Sequence, residues 1–403
     1  MCYPARVILQ AKWVVPISSP AIENGAVEIR GEKIVAVGCA RDFRGKTRDL
    51  GDVALLPALV NAHCHLDYTD MAGKLWPSRS FVHWLDQIVS VKQTWDLEDY
   101  LRSWRHGEEM LLASGVATVA DMEAVAANLA LGLTSRLRVW SFVELIDIAR
   151  ETQTDAMLGR ALLAAERPRP RGGYGLCPHA LYTASPEAIR AASAICRARR
   201  WPMAIHLAES REEWEMFRRG RGAMFDRFGA VGRTTSDCDG RTPTQVLAEI
   251  GVLSRHLIVA HANYVTDEDI ALLARNQVSV AHCPRCHAYF GHRTFPIEKY
   301  LARGVNVCLG TDSLASNDKL DLFAEMRQLQ RAHPRLPSEQ ILAMATRNGA
   351  RAIGLEHNCG ALVKLAWADL IAVSVRSARA DLYDEIVDAR APVWRMIGGK
   401  EQP

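Results

Sequence analysis

The 403-residue chain has no apolar run of the 18 or so residues that a membrane span requires, and even VALLPALVNA stops at His63. Its opening, MCYPARVILQAKWVV, mixes charged and apolar positions and lacks a basic stretch leading into a long apolar one and a small-residue cleavage site. These absences predict a cytoplasmic protein without a membrane partner. An excess of one charge is also missing. The 49 Lys and Arg stand against 46 Asp and Glu, a net charge of +3, without the concentrated positive field that a nucleic-acid partner demands.

A disulfide framework is excluded on similar grounds. Ten cysteines in a long chain with no secretory signal predict buried, reduced thiols. Cys2, Cys39, Cys196, Cys238 and Cys359 have no metal-like spacing. Cys283 and Cys286 form a C-x-x-C within HCPRCH at 282–287. No second C-x-x-C and no H-x-E partner accompanies it, which argues against a zinc site or a cytidine-deaminase fold.

A hydrophobic fraction of 49% and a charged fraction of 24% describe an ordinary globular chain, suited to a small-molecule partner. The length accommodates one barrel of about 250 residues plus a smaller appended domain. Residues 1–52 alternate in short strand-like pieces, ARVILQAKWVV, AVEIRG and KIVAVG, separated by turn residues. From Val53 the runs VALLPALV, GVATVAD, LRVWSFVEL, GGYGLCP, WPMAIHL, HLIVAH, QVSVAH and GVNVCLGTD alternate with amphipathic helical stretches.

That order predicts an α/β fold: a (β/α)8 TIM-like barrel over 53–354, with a small discontinuous β-sandwich domain built from 1–52 and 355–403. RPRPRGG at 167–173 reads as a Pro/Gly connection. The stretch 217–244 is basic, Gly-rich and without regular patterning, and is either a lid or a solvated excursion.

In such a barrel, catalytic groups gather at the carboxyl ends of the strands. The first run ends in His63-Cys64-His65, and alternation puts both imidazoles on one side of an extended chain. The fifth ends in His206 with Glu209 three residues on, the sixth in His261 and the eighth in Asp312. An isolated histidine is most often a hydrogen-bonded structural residue. Ligand-type residues ending strands one, five, six and eight together point to one divalent metal ion.

The spacing HxH, HxxE, a lone His and the Asp of GTDS resembles the mononuclear, deaminase-type branch of the amidohydrolase superfamily. That branch includes cytosine, guanine and adenosine-derivative deaminases and triazine hydrolases. The resemblance implies that His63, His65, His206 and Asp312 hold the ion, zinc first and iron or manganese as alternatives. It implies a metal-bound hydroxide attacking an amino-substituted heterocycle, with Asp312 taking its proton, Glu209 protonating a ring nitrogen and His261 orienting the nucleophile. Two-metal relatives use a carboxylated lysine of the fourth strand, but no lysine lies between Lys92 and Lys299. Glu144, ending the third run, is a poor substitute and reads as a supporting carboxylate.

The resemblance also implies substrate contacts from His179, which follows the fourth run. Ser185 and Pro186 behind it read as the cap and first residue of a helix. Trp76, Phe81 and Trp84 can stack on a flat ring, although packing is the stronger reading for Trp84. Arg285, His287, Ser313 and Asp67 are further polar candidates, and Cys283 and Cys286 read as structural, the latter where the family commonly has serine.

LVNAHCHLDYT, FVHWL, CPRCHAYFGH and LGTDSLASNDKLDLFAEM most resemble the aminodeoxyfutalosine deaminase group of menaquinone biosynthesis. The expected partner is therefore a small heterocyclic amine, an adenine-type nucleoside, with a homodimer possible by analogy. Alternatives within the branch are deamination of guanine, S-adenosylhomocysteine or methylthioadenosine, and triazine chlorohydrolysis. A barrel scaffold without activity is the alternative outside it. Ala58 for the usual glycine, Cys64 for threonine and VKLAWADL without a glycine depart from the pattern without removing a ligand candidate.

Overall fold

The computed structural model describes residues 6–76, 78, 80–148, 154–166, 171–376 and 381–402 and divides its strands between two sheets. Positions 167–170 of the Pro/Gly connection lie outside the described residues. Eight parallel strands lie in chain order in one sheet: Leu59–Cys64, Val116–Glu123, Arg138–Leu145, Gly172–Pro178, Met203–Leu207, Leu257–His261, Ser279–His282 and Asn306–Leu309.

The end of the eighth strand returns to the first. Cys64 bridges Asp312, and the N–H groups of Thr311 and Asp312 both donate to the His63 carbonyl, at 3.0 and 3.1 Å. Gly310 permits that approach, since a Cβ there would stand 2.6 Å from the His63 oxygen. A buried cluster that includes Val60, Ala120, Phe142, Cys177, Ala204, Ile258, Ala281 and Cys308 takes a residue from every one of the eight strands. Only the interior of a barrel brings such a set together.

Helices cover the outside, and their starts follow from local chemistry. Asp96 and Asp99 form a reciprocal capping box for Leu97–Ala113. Ser185 accepts from the Ala188 N–H ahead of Pro186–Arg199, with the proline where its missing N–H costs nothing.

The second sheet joins both ends of the chain. Its order is Lys400–Glu401, Trp394–Ile397, Leu370–Ser374, Val53–Pro57, Arg6–Val14, Ile22–Arg30 and Lys33–Cys39, with Thr47–Asp49 also paired to Arg6–Val14. The run VALLPALV, expected to open the barrel, therefore splits: Val53–Pro57 belongs to this sheet and Leu59–Cys64 to the barrel.

Period-two alternation explains how one strand serves both units. Leu55, Leu370 and Ala372 pack into the small sheet's own core with Leu9, Val27 and Ile34. Ala54, Leu56, Ile371 and Val373 pack into the larger core around the barrel.

The stretch 217–244 is not patternless. Helix Ala223–Ala230 interrupts it and buries Met224 and Phe228, one turn apart. Among the described residues, no helix is long and apolar enough to cross a membrane.

Candidate active site

His63, His65, His206, His261, Glu209 and Asp312 converge at the carboxyl ends of the strands, each no more than about 5% exposed. Ring nitrogens of His63, His65 and His206 lie within 4.8 Å of one another. His65 Nε2 faces His206 Nε2 at 3.2 Å, and Asp312 Oδ1 stands 3.6 Å from His63 Nε2 and 3.7 Å from His65 Nε2. Neither ring nitrogen of His63 has a hydrogen-bond partner, nor does His65 Nδ1.

Unpaired buried nitrogens are costly unless something else occupies their lone pairs. A divalent cation fits this donor set: four-coordinate ligands about 2.0–2.1 Å from an ion stand about 3.3 Å apart. The remaining contacts orient the donors. His206 Nδ1 donates to the His179 carbonyl at 2.7 Å, which turns Nε2 toward the cluster. Ser316 Oγ donates to Asp312 Oδ2 at 3.0 Å.

The backbone is distorted at the same place. Ala208, His261, Ala262 and Asp312 all have positive φ, between 48° and 69°. That region is unfavourable for residues with a Cβ, and such conformations concentrate where side chains must be aimed at a site.

Burial sets the protonation states. It pushes the His65 and His261 imidazoles well down and His206 down to about 4, leaving them neutral with lone pairs available. Burial alone would raise Asp312, but His63, 3.6 Å away, and the surrounding imidazoles outweigh it and hold the carboxyl well below its ordinary value. Glu209 is pushed well up by burial, then by Asp312 and Glu213. Its Oε1 lies 3.6 Å from His261 Nε2.

The cluster opens into a cavity at the barrel mouth. Tyr68, Phe81, Trp84, Ile88, Ile146 and Phe228 wall it, and Glu144, His179, Glu209, Asp312 and Ser313 supply polar groups. His179 Nδ1 pairs with Thr183 Oγ1 at 2.8 Å. Glu144 Oε1 lies 3.8 Å from His65 Nδ1 without a hydrogen bond, and burial raises this carboxyl to about 7. Trp84 is wedged between Phe81 and Phe290 and donates from Nε1 to the Ala315 carbonyl at 3.0 Å, so it packs and lines the cavity at once.

Two expected substrate contacts are elsewhere. Trp76 is 80% exposed and does not line the cavity, because the chain after the first strand turns it outward before Phe81 and Trp84 come in. Arg285 pairs with Asp318 and lines a different surface cleft. It sits at the start of helix Pro284–Tyr289, where one step of helical rotation turns Arg285 away and Cys286 toward Glu209, His261 and Asp312. Asp67 is buried outside the cavity lining, beside Asp121 and Glu144, and His287 does not line the cavity either.

Tyr68 and Phe228 are wall residues that sequence reasoning missed. Tyr68 stacks on His65 with ring centroids 5.7 Å apart and takes a 2.6 Å hydrogen bond from Lys92 Nζ. Its place three residues after His65 was a usable signal.

Comparison with known proteins identifies the family and the fold. The family model described as the amidohydrolase family matches residues 54–400. The chain is 31% identical over 395 residues to the 5-methylthioadenosine/S-adenosylhomocysteine deaminase of Moorella thermoacetica, covering 92% of this chain and 86% of that protein. Its fold matches a crystal structure of an adenosine deaminase from Xanthomonas campestris with bound zinc, at a TM-score of 0.86 and 24% identity over 100% of this chain and 93% of that one. It also matches Helicobacter pylori aminofutalosine deaminase in complex with methylthio-coformycin, at a TM-score of 0.88 and 20% identity over 98% of this chain and 100% of that one. The chain belongs to the amidohydrolase family and is a hydrolase of carbon–nitrogen bonds.

Proposed function

We propose that this protein deaminates an adenosine-derived nucleoside, replacing the 6-amino group of its adenine ring by oxygen and releasing ammonia. The observation that carries the reading is the convergence of buried Glu209 and Asp312 with His63, His65, His206 and His261 at one aromatic-walled cavity. His63, His65, His206 and Asp312 would hold one divalent cation; zinc is the first candidate, since a relative in fold carries it. Such an ion lowers the pKa of a bound water toward neutrality.

The chain's own groups then account for the proton traffic. Glu209 gives its proton to a ring nitrogen, which makes the adjacent carbon more electrophilic. Asp312 accepts the proton released by the attacking water. His261, 3.6 Å from Glu209, stabilises charge that develops on the attacked carbon's new oxygen. The departing amine leaves as ammonia after proton return.

Phe81, Trp84 and Phe228 offer faces for a flat base, and the cavity has room for a ribose with a 5′ substituent. Aminodeoxyfutalosine, methylthioadenosine and S-adenosylhomocysteine all fit that description. A panel of these three with adenosine, 5′-deoxyadenosine and guanine, followed by ammonia release and the adenine-to-hypoxanthine ultraviolet shift, tests the reading. Turnover of at least one adenine nucleoside is expected. Ammonia from guanine alone, or chloride from a chlorotriazine with no ammonia from any adenine compound, would overturn it.

A further inference from the structure

The proton-handling side of the site contains a second group of donors. Donor atoms of Glu209, His261, Cys286 and Asp312 lie within 4.8 Å of one another; of these only Asp312 also belongs to the first set of cation ligands, where its two oxygens would let it serve both ions. All four residues are buried, Cys286 to 1% exposure. Helix Pro284–Tyr289 brings the Cys286 sulfur within 4.8 Å of donor atoms of Glu209, His261 and Asp312.

We propose that these four residues form a second cation site, selective for thiophilic divalent ions such as zinc and cadmium, whose occupation switches the enzyme off. Two carboxylates, an imidazole and a thiolate give the four donors of a closed tetrahedral zinc site, and the sulfur disfavours magnesium and calcium. Binding takes Cys286 as a thiolate and Glu209 as a carboxylate, any proton they carried passing to solvent, and leaves two carboxylates, a thiolate and a neutral imidazole around a 2+ ion. No redox change is involved. Inhibition follows because an ion on Glu209 and His261 removes the groups that carry the proton; that part rests on the proposed deaminase mechanism.

The specificity lies in Cys286. A serine hydroxyl at the same place is a far weaker ligand for these ions, so a Cys286→Ser chain keeps the first donor set and loses the second.

The test starts from metal-free protein titrated with zinc and followed by equilibrium dialysis, elemental analysis and turnover. The wild type is expected to bind two ions per chain, activity appearing with the first and disappearing with the second. Cys286→Ser should bind one ion tightly, and its half-inhibiting zinc concentration should rise by about tenfold or more. Cobalt supplies a readout independent of activity: sulfur-to-metal charge-transfer absorption should grow only with the second equivalent in the wild type and be missing from the variant. A Cys283→Ser control should behave as wild type.

Binding of a single activating ion with no second event, or equal zinc inhibition in Cys286→Ser, would overturn the second site and leave the deaminase reading intact. Failure to bind any ion would remove both. Should Cys286→Ser not fold, the wild-type cobalt spectrum decides alone: no sulfur absorption at two equivalents rejects the site.

Discussion

Two regions of this molecule bury charge, and they do so in opposite ways. At the seam between the terminal sheet and the barrel, Arg138 and Asp369 are each 3% exposed and paired through two bonds of 2.6 and 3.2 Å. Asp369 also accepts from the Gly398 N–H at 2.7 Å, and the guanidinium lies 4.0 Å from the centre of the Trp367 ring. At the barrel mouth, His63 has no partner for either ring nitrogen, and His261 and Asp312 sit at positive φ. Full satisfaction marks polar burial that holds a fold together, and unsatisfied donors on a strained backbone mark burial kept for a ligand.

The comparison breaks if substitutions at the two regions have the same consequences. Asp312→Ala should lower turnover about 10⁴-fold, together with cation occupancy measured by elemental analysis, while the melting temperature changes little. Normal occupancy would remove Asp312 from the ligand set. Glu209→Gln should cost about 10³-fold in turnover with the cation retained, because the amide keeps the shape and loses the proton. Wild-type turnover there would end its part in proton transfer.

Asp369→Ala should do the reverse. It strands Arg138 in the interior and should lower unfolding free energy by about 3–4 kcal/mol in denaturant titrations, with turnover per folded molecule unchanged. A neutral result would mean that the seam, too, tolerates unpaired charge.

Another buried carboxylate sharpens the contrast through pH. Glu325 accepts from the Arg285 N–H and from Asn317 Nδ2, yet burial raises it to about 8. The native state therefore keeps a proton that the unfolded chain, with an ordinary carboxyl near 4.5, gives up. Its contribution is complete below that lower value and falls as pH rises toward about 8. The melting temperature should drop across this window, and Glu325→Gln, whatever its absolute stability, should flatten the slope. An unchanged slope would show that other groups set it.

Much of the site was legible because its chemistry interrupts the pattern that forms the fold. His206, His261 and Asp312 stand out where apolar runs end, and the barrel brings those ends together. What stayed hidden depends on facing. VALLPALV is buried throughout, and a run buried on both faces carries no periodicity to show that its halves join different sheets. The glycines and arginines of 217–244 mask the buried Met224 and Phe228 pair, of which Phe228 walls the cavity. Arg285 and Cys286 are neighbours in sequence, and only the rotation of their helix decides which of them meets the site.

The smallest predicted effect separates two tryptophans eight residues apart. Sequence alone gives both a flat apolar face after the first barrel strand, but Trp76 is 80% exposed and Trp84 is 6% exposed. Substitution of an exposed side chain that touches no site changes free energies by about 0.5 kcal/mol or less, so Trp76→Ala should leave kcat/KM within about twofold. Trp84→Phe preserves an aromatic ring yet loses the Nε1 bond to the Ala315 carbonyl, beside cavity-lining Ser313. Its KM for the best nucleoside should rise about tenfold, the scale of one buried hydrogen bond left unmade. Equal KM values for the two variants would mean that the cavity wall does not read the base, and the aromatic faces would lose their place in the binding argument.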